Sequence, residues 1–253
     1  MKRSPLAWIL VLVVVIVGGI GAAIGTASSR VAPEALPSVS VTPFAPAPDA
    51  TMVPDPSAAP SLPLTILAYP DAAQALTDLA GIPVKGRAPK TGYDRVGDFG
   101  TAWKDVDHNG CDTRNDILAR DLTSAELSGP CKVISGVLAD PYTAKTIHFV
   151  RGNTTSTLVQ IDHMVALSNA WQTGAQQLTQ DQRVALANDP VNLMAVDGAT
   201  NSSKGDGDTA TWLPPNKAIR CTYVSRQVTV KAKYHLWVTA AEHDAMVRIL
   251  GAC

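Results

Sequence analysis

Leu158-Val159-Gln160-Ile161-Asp162-His163-Met164-Val165 is the stretch on which the reading of this chain turns. Its apolar positions predict a strand over Thr157–Asp162, ending where a carboxylate stands beside an imidazole. About thirty residues on comes Pro190-Val191-Asn192-Leu193, and nine residues after Asn192 comes Asn201, in Asn201-Ser202-Ser203-Lys204-Gly205-Asp206. Further strands are expected at Val133–Leu138 and Thr146–Val150, with Asp140-Pro141-Tyr142 as turn chemistry between them. Apolar spacing predicts helices at Asp71–Leu79, with Asp71 as N-cap and Gly81-Ile82-Pro83 as the stop, and at Asn115–Leu122. Three more are expected at Val165–Ala175, Thr179–Ala187 and Thr239–Leu250. The fold class is therefore α+β, helices with short antiparallel strands.

These residue types suit phosphodiester hydrolysis. That reaction needs a hard cation to neutralise developing charge, and a base to take a proton from water near neutral pH. Carboxylate and amide oxygens suit magnesium or manganese, so Asp162 and Asn201 are the candidate metal ligands. Histidine has the right intrinsic basicity, so His163 is the candidate base. Asn192 can brace the loop that carries it. Lys204, one helical turn after Asn201, is placed to reach a phosphate oxygen.

The ordered set Asp162-His163, Asn192, Asn201 resembles the signature of HNH nucleases with the ββα-metal fold. The likeness extends to the branch that includes secreted actinobacterial proteins and the C-terminal nuclease domain of modification-dependent restriction enzymes. It is carried by Tyr93-Asp94-Arg95, Asn109-Gly110-Cys111-Asp112-Thr113-Arg114-Asn115, Asp140-Pro141-Tyr142, Ile161-Asp162-His163, Asn192-Leu193, Asn201-Ser202-Ser203-Lys204 and Trp212-Leu213-Pro214-Pro215. The resemblance implies a ββα-metal core with one divalent ion on Asp162 and Asn201, His163 as general base and Asn192 as a structural member of the site. The last ligand is Asn where the family more often has His, which favours magnesium or manganese over zinc.

The rest of the chain sets the context. Its 253 residues carry a net charge of −1, with 5% aromatic and 17% charged residues. That balance excludes nucleic-acid binding through bulk positive charge. Residues 1–29 read as a signal peptide or an uncleaved membrane anchor: Lys2 and Arg3 precede an uncharged apolar run, and Gly25-Thr26-Ala27 offers a cleavage site. Either places the remainder outside the cytoplasm, secreted or tethered to the outer face of the membrane. Residues 30–63, rich in Pro, Ala and Ser, read as a disordered linker. The folded domain is expected over 64–253. Four cysteines in an exported chain predict two disulfides, and of three pairings the short loops favour Cys111–Cys131 and Cys221–Cys253.

Two further features call for a reading. Asp105-Val106-Asp107-His108-Asn109-Gly110 matches the opening of an EF-hand loop, making Asp105, Asp107 and Asn109 candidates for a second, calcium site; the competing reading is a polar turn closed by Cys111. Between Thr209 and Ala241 there is no acid, while Lys217, Arg220, Arg226, Lys231 and Lys233 alternate with Trp212, Tyr223, Tyr234 and Trp237. That pattern fits either a phosphate-tracking face or a solvated face over core aromatics, with Trp212 a packing residue. Arg114, Asn115, Lys217 and Arg220 are the candidate substrate contacts. The expectation is thus an exported endonuclease of low sequence specificity acting on DNA, RNA being the other candidate, with no organic cofactor. The rival is a non-catalytic, disulfide-stapled extracellular binding domain.

Overall fold

The computed structural model describes residues 71–253. The expected targeting segment at 1–29 and linker at 30–63 lie outside the described residues. Among the described residues no helix is long and apolar enough to cross a membrane.

The chain opens with α1 (Ala72–Ala80), whose expected cap is in place: the Asp71 side chain accepts from Gln74 N at 2.8 Å. A short α2 (Arg95–Phe99) and α3 (Thr113–Asp121) follow, each capped by the aspartate before it. Then β1 (Thr123–Ser128), β2 (Lys132–Ala139) and β3 (Thr146–Val150) form an antiparallel sheet in that order. Next come β4 (Val159–His163), α4 (Leu167–Gln172), α5 (Gln180–Asn188), β5 (Leu193–Asp197), α6 (Gly198–Lys204), α7 (Arg220–Lys233) and α8 (Ala240–Leu250). The domain is α+β with two disulfides, as its pattern predicts. Cys111–Cys131 links the loop before α3 to the β1–β2 turn, and Cys221–Cys253 ties the end of the chain to the first turn of α7.

Several elements differ from the sequence reading. The helix expected from Val165 to Ala175 is cut at both ends. At its start, Met164 N and Val165 N donate to Asn192, at 2.7 and 2.8 Å, instead of entering a helix. At its end Gly174 takes φ 130°, and a Cβ there would meet Trp237 at 3.2 Å. Neither α2, β1, β5 nor α7 was expected as a regular element. In α7 the buried polar residues Arg226, Gln227 and Lys231 hide the apolar stripe that would mark a helix.

The functional part is built on β4 and β5. They pair antiparallel, with Asp162 opposite Met194 and His163 opposite Leu193. Side chains alternate between faces along a strand. Val159, Ile161, Leu193 and Ala195 enter a core with Ile117, Leu118, Val133, Leu138 and Phe149. Met194 and Val196 enter the other, with Tyr142, Met164, Tyr223 and Val228. Burial of each large apolar side chain contributes roughly 1.5–3 kcal/mol, so the register is fixed from both sides. α6 follows β5 without a linker. Gly198 makes that possible: its N donates to Leu158 O at 3.0 Å, and a Cβ would sit 2.0 Å from Thr157 O. The result is a strand, a returning strand and a helix folded back on the first strand.

Candidate active site

Asp162 and His163 close β4 and, by strand alternation, point to opposite faces. The carboxylate is buried. Its Oδ2 accepts from the Tyr142 hydroxyl and from Lys204 Nζ, the latter at 2.6 Å. Lys204 Nζ also donates to His163 O at 2.6 Å and Met164 O at 3.3 Å. Burial pushes this ammonium below the usual lysine range, with Asp162 holding it back. Burial and the Asp162 charge push the Tyr142 hydroxyl far up. Lys204 therefore does not reach outward for a phosphate, as its spacing suggests. The helix turns its stem inward, and all three ammonium donors engage the end of β4.

His163 is also buried, at 7% exposure. Its Nε2 lies 2.9 Å from Ala187 O. A carbonyl oxygen only accepts, so this nitrogen carries the proton and Nδ1 keeps a lone pair. Nδ1 has no hydrogen-bond partner among the described residues. The imidazole lines a cleft with Arg95, Phe99, Gly100, Trp103 and Asn188. The Trp103 ring stacks on it, centroids 6.1 Å apart and planes 18° apart. Burial first, then the Arg95 charge, bring the imidazole down to about 3, against the Ala187 bond. It is neutral throughout the physiological range.

Asn192 sits beneath both. Its backbone oxygen accepts from Met164 N, its Oδ1 from Val165 N, and its Nδ2 donates to Leu186 O at 3.2 Å and to Val165 O at 3.4 Å. The end of α5 thus offers Leu186 O to Asn192 and Ala187 O to His163, carbonyls a helix leaves unpaired in its last turn. The turn around Asn192 is gripped by two guanidinium groups. Arg120 donates to Pro190 O and Leu193 O, both at 2.8 Å, and Arg226 donates to Val191 O and Leu193 O, both at 2.8 Å.

Asn201 lies in α6, and its Nδ2 donates to Gln160 Oε1 at 2.9 Å. Gln160 is the next side chain before Asp162 on the same face of β4, about 7 Å along the strand. With Nδ2 engaged, Asn201 offers its oxygen. Asp162 Oδ1 takes no hydrogen bond from any described residue. Two hard oxygen donors on one face, with water completing the shell, fit magnesium or manganese in donor chemistry. Among the described residues no group of three or more His, Cys, Asp or Glu is placed to hold a metal, so any ion here relies on amide oxygen and water.

The other candidates fall elsewhere. Asn115 is buried; it accepts from Val133 N and Arg151 Nη2 and donates to Asp112, pinning α3 to β2. Arg114 Nη2 donates to Val159 O at 3.2 Å. Arg220 Nε donates to Pro214 O at 2.9 Å, and Lys217 is exposed on the turn before α7. None of the four lines the His163 cleft. Of the cations over 209–241 the fold takes two inward, Arg226 and Lys231, while Lys233 pairs with Asp189 at 2.6 Å and Lys217 stays exposed away from the His163 cleft. Trp212 packs on Tyr142 and Tyr223. The Asp105–Gly110 loop closes on itself, which favours the polar turn over the calcium site. Asp105 accepts from Gly110 N, Asp107 from the backbone and amide of Asn109, and Asn109 from Cys111 N. Sequence reasoning gave no place in the site to Arg95, Trp103, Gln160 or Tyr142. Tyr93-Asp94-Arg95 and Asp140-Pro141-Tyr142 carry part of the family resemblance, which was the available signal for two of them.

A ββα unit with an Asp-His pair closing its first strand and an Asn on its helix is the layout of a nuclease-type domain. Residues 112–249 match the family model for the C-terminal domain of GmrSD restriction endonucleases, and the chain belongs to that family. It is also 38% identical over 186 residues, 73% of this chain and 87% of the relative, to an uncharacterized secreted protein of Arthroderma benhamiae. No solved structure matches it.

Proposed function

We propose that this protein is an exported, metal-dependent endonuclease that hydrolyses phosphodiester bonds of DNA with little sequence preference. The observation that carries the reading is the His163 Nε2 bond to Ala187 O, which leaves Nδ1 as a lone-pair acceptor in a cleft lined by Arg95 and Trp103, one residue along the strand from Asp162.

In this reading His163 Nδ1 takes the proton of the attacking water, and the resulting imidazolium keeps its Nε2–H on Ala187 O. Asn192 holds the Met164–Val165 backbone, while Ala187 O and the Trp103 ring hold the imidazole. Lys204 and Tyr142 fix Asp162 Oδ2 and leave Oδ1 forward. Asp162 Oδ1 and the Asn201 oxygen would hold one Mg²⁺ or Mn²⁺, which supplies charge neutralisation at the phosphate and the leaving oxygen. Export rests on the targeting segment read at 1–29 and on the two disulfides, which belong to an oxidising compartment.

The test is plasmid DNA incubated with the protein and Mg²⁺ or Mn²⁺, with and without EDTA, beside H163A. Cutting by the intact protein should be abolished by EDTA and fall about 10²–10⁴-fold in H163A. An intact, folded protein that leaves the plasmid whole under both metals would point to the binding-domain reading instead.

A further inference from the structure

The arginines that build this fold are engaged: Arg87 with Asp208, Arg120 with Asp121, Arg183 with Asp98 O, Arg226 with Val191 O. Arg95 is different. It is exposed, it begins α2 behind the Asp94 cap, and it pairs with no carboxylate among the described residues. It lines the same cleft as His163 and Trp103. Its one side-chain engagement among the described residues is with the neutral Tyr93 hydroxyl, which leaves the charge uncompensated. With Lys204, Arg226 and Lys231 turned inward and Lys233 paired with Asp189, Arg95 is a cation without a carboxylate partner at the opening beside the base.

We infer that Arg95 binds the phosphate to be cut, setting a phosphodiester of the nucleic acid against His163 Nδ1. The guanidinium offers parallel N–H donors, a geometry that matches two phosphate oxygens and that an ammonium does not reproduce. Its root in α2 fixes where the phosphate sits. Trp103, stacked on the imidazole, supplies an apolar wall of the same cleft. The inference rests on the nuclease reading above and adds a residue to it.

The experiment separates the two. In the full chain carrying H163A, a fluorescein-labelled duplex oligonucleotide is titrated by anisotropy at several salt concentrations, with and without R95A. R95A should weaken binding roughly tenfold, and the slope of log affinity against log salt should shrink by about 0.9, one phosphate contact. R95K should keep most of the slope and lose part of the affinity. In the otherwise intact chain, R95A should lower kcat/KM for plasmid cutting by at least as much as it weakens binding. If R95A matches its parent in slope, affinity and cutting while H163A is silent, the Arg95 assignment is wrong and the nuclease reading stands. If H163A cuts as well as the intact chain, the nuclease reading is wrong and Arg95 goes with it.

Discussion

Two lysines of this molecule, Lys204 and Lys231, are withdrawn from water and set against a carboxylate, yet they do different work. Lys231 Nζ lies 2.9 Å from Glu242 Oε1 and also donates to Trp237 O at 3.0 Å. Glu242 is the third residue of α8 and takes part in its capping box with Thr239. Lys231 thus ties α7 to the start of α8. Lys204 grips Asp162 and the carbonyls of His163 and Met164, at the end of a strand with a free carboxylate oxygen and an imidazole of fixed tautomer. Burial lowers both ammonium groups, and the paired acid opposes it in each. A buried ion pair alone therefore marks no active site. What separates the two is the imidazole of fixed tautomer, its Nδ1 open to a cleft, beside one of them.

That contrast can be broken by experiment. K204A and K231A each strand a buried carboxylate, and each should cost about 3–5 kcal/mol in denaturant unfolding. Their effects on cutting should diverge: K231A, assayed where it is folded, should cut like the parent, while K204A should lose activity because Asp162 is no longer held. Equal loss in both would erase the distinction. Asn192 comes next. N192A leaves Val165 N–H buried without its acceptor, a loss of about 1–3 kcal/mol, and amide exchange at Val165 should quicken while the Lys231 region is unaffected. The smallest effect is in pH. His163 titrates at about 3 in the fold against 6.5 for an ordinary imidazole, so the unfolded chain binds its proton first as pH falls. The stability His163 contributes is fully present above pH 6.5 and is lost as pH drops toward 3, at about 1.4 kcal/mol per unit. H163Q lacks this term, and its unfolding free energy should fall less between pH 6.5 and 4; identical pH profiles would contradict a buried, neutral imidazole.

The strand ending in Asp162-His163 was legible because its alternation is local, and so were the Asp71 cap and the helices near Asn115, Thr179 and Thr239. The strand at Leu193–Asp197 was not, since a five-residue apolar run has no period of its own. The role of Lys204 was misread for a related reason: spacing along a helix says which residues share a face and leaves open whether that face looks at water.

By itself, then, the order of residues determined the chemistry on offer: an acid beside an imidazole, two asparagines at fixed intervals and cysteines close enough to pair. It determined the α+β class as well, because capping, alternation and turns depend on neighbours along the chain. Only the tertiary structure decided which cations meet solvent. It turned Lys204, Arg226 and Lys231 inward, left Arg95 at the cleft, and chose the imidazole nitrogen that holds the proton. Those outcomes depend on partners such as Ala187 O, 24 residues from His163 in sequence, and a carbonyl has no side chain through which a sequence could announce it.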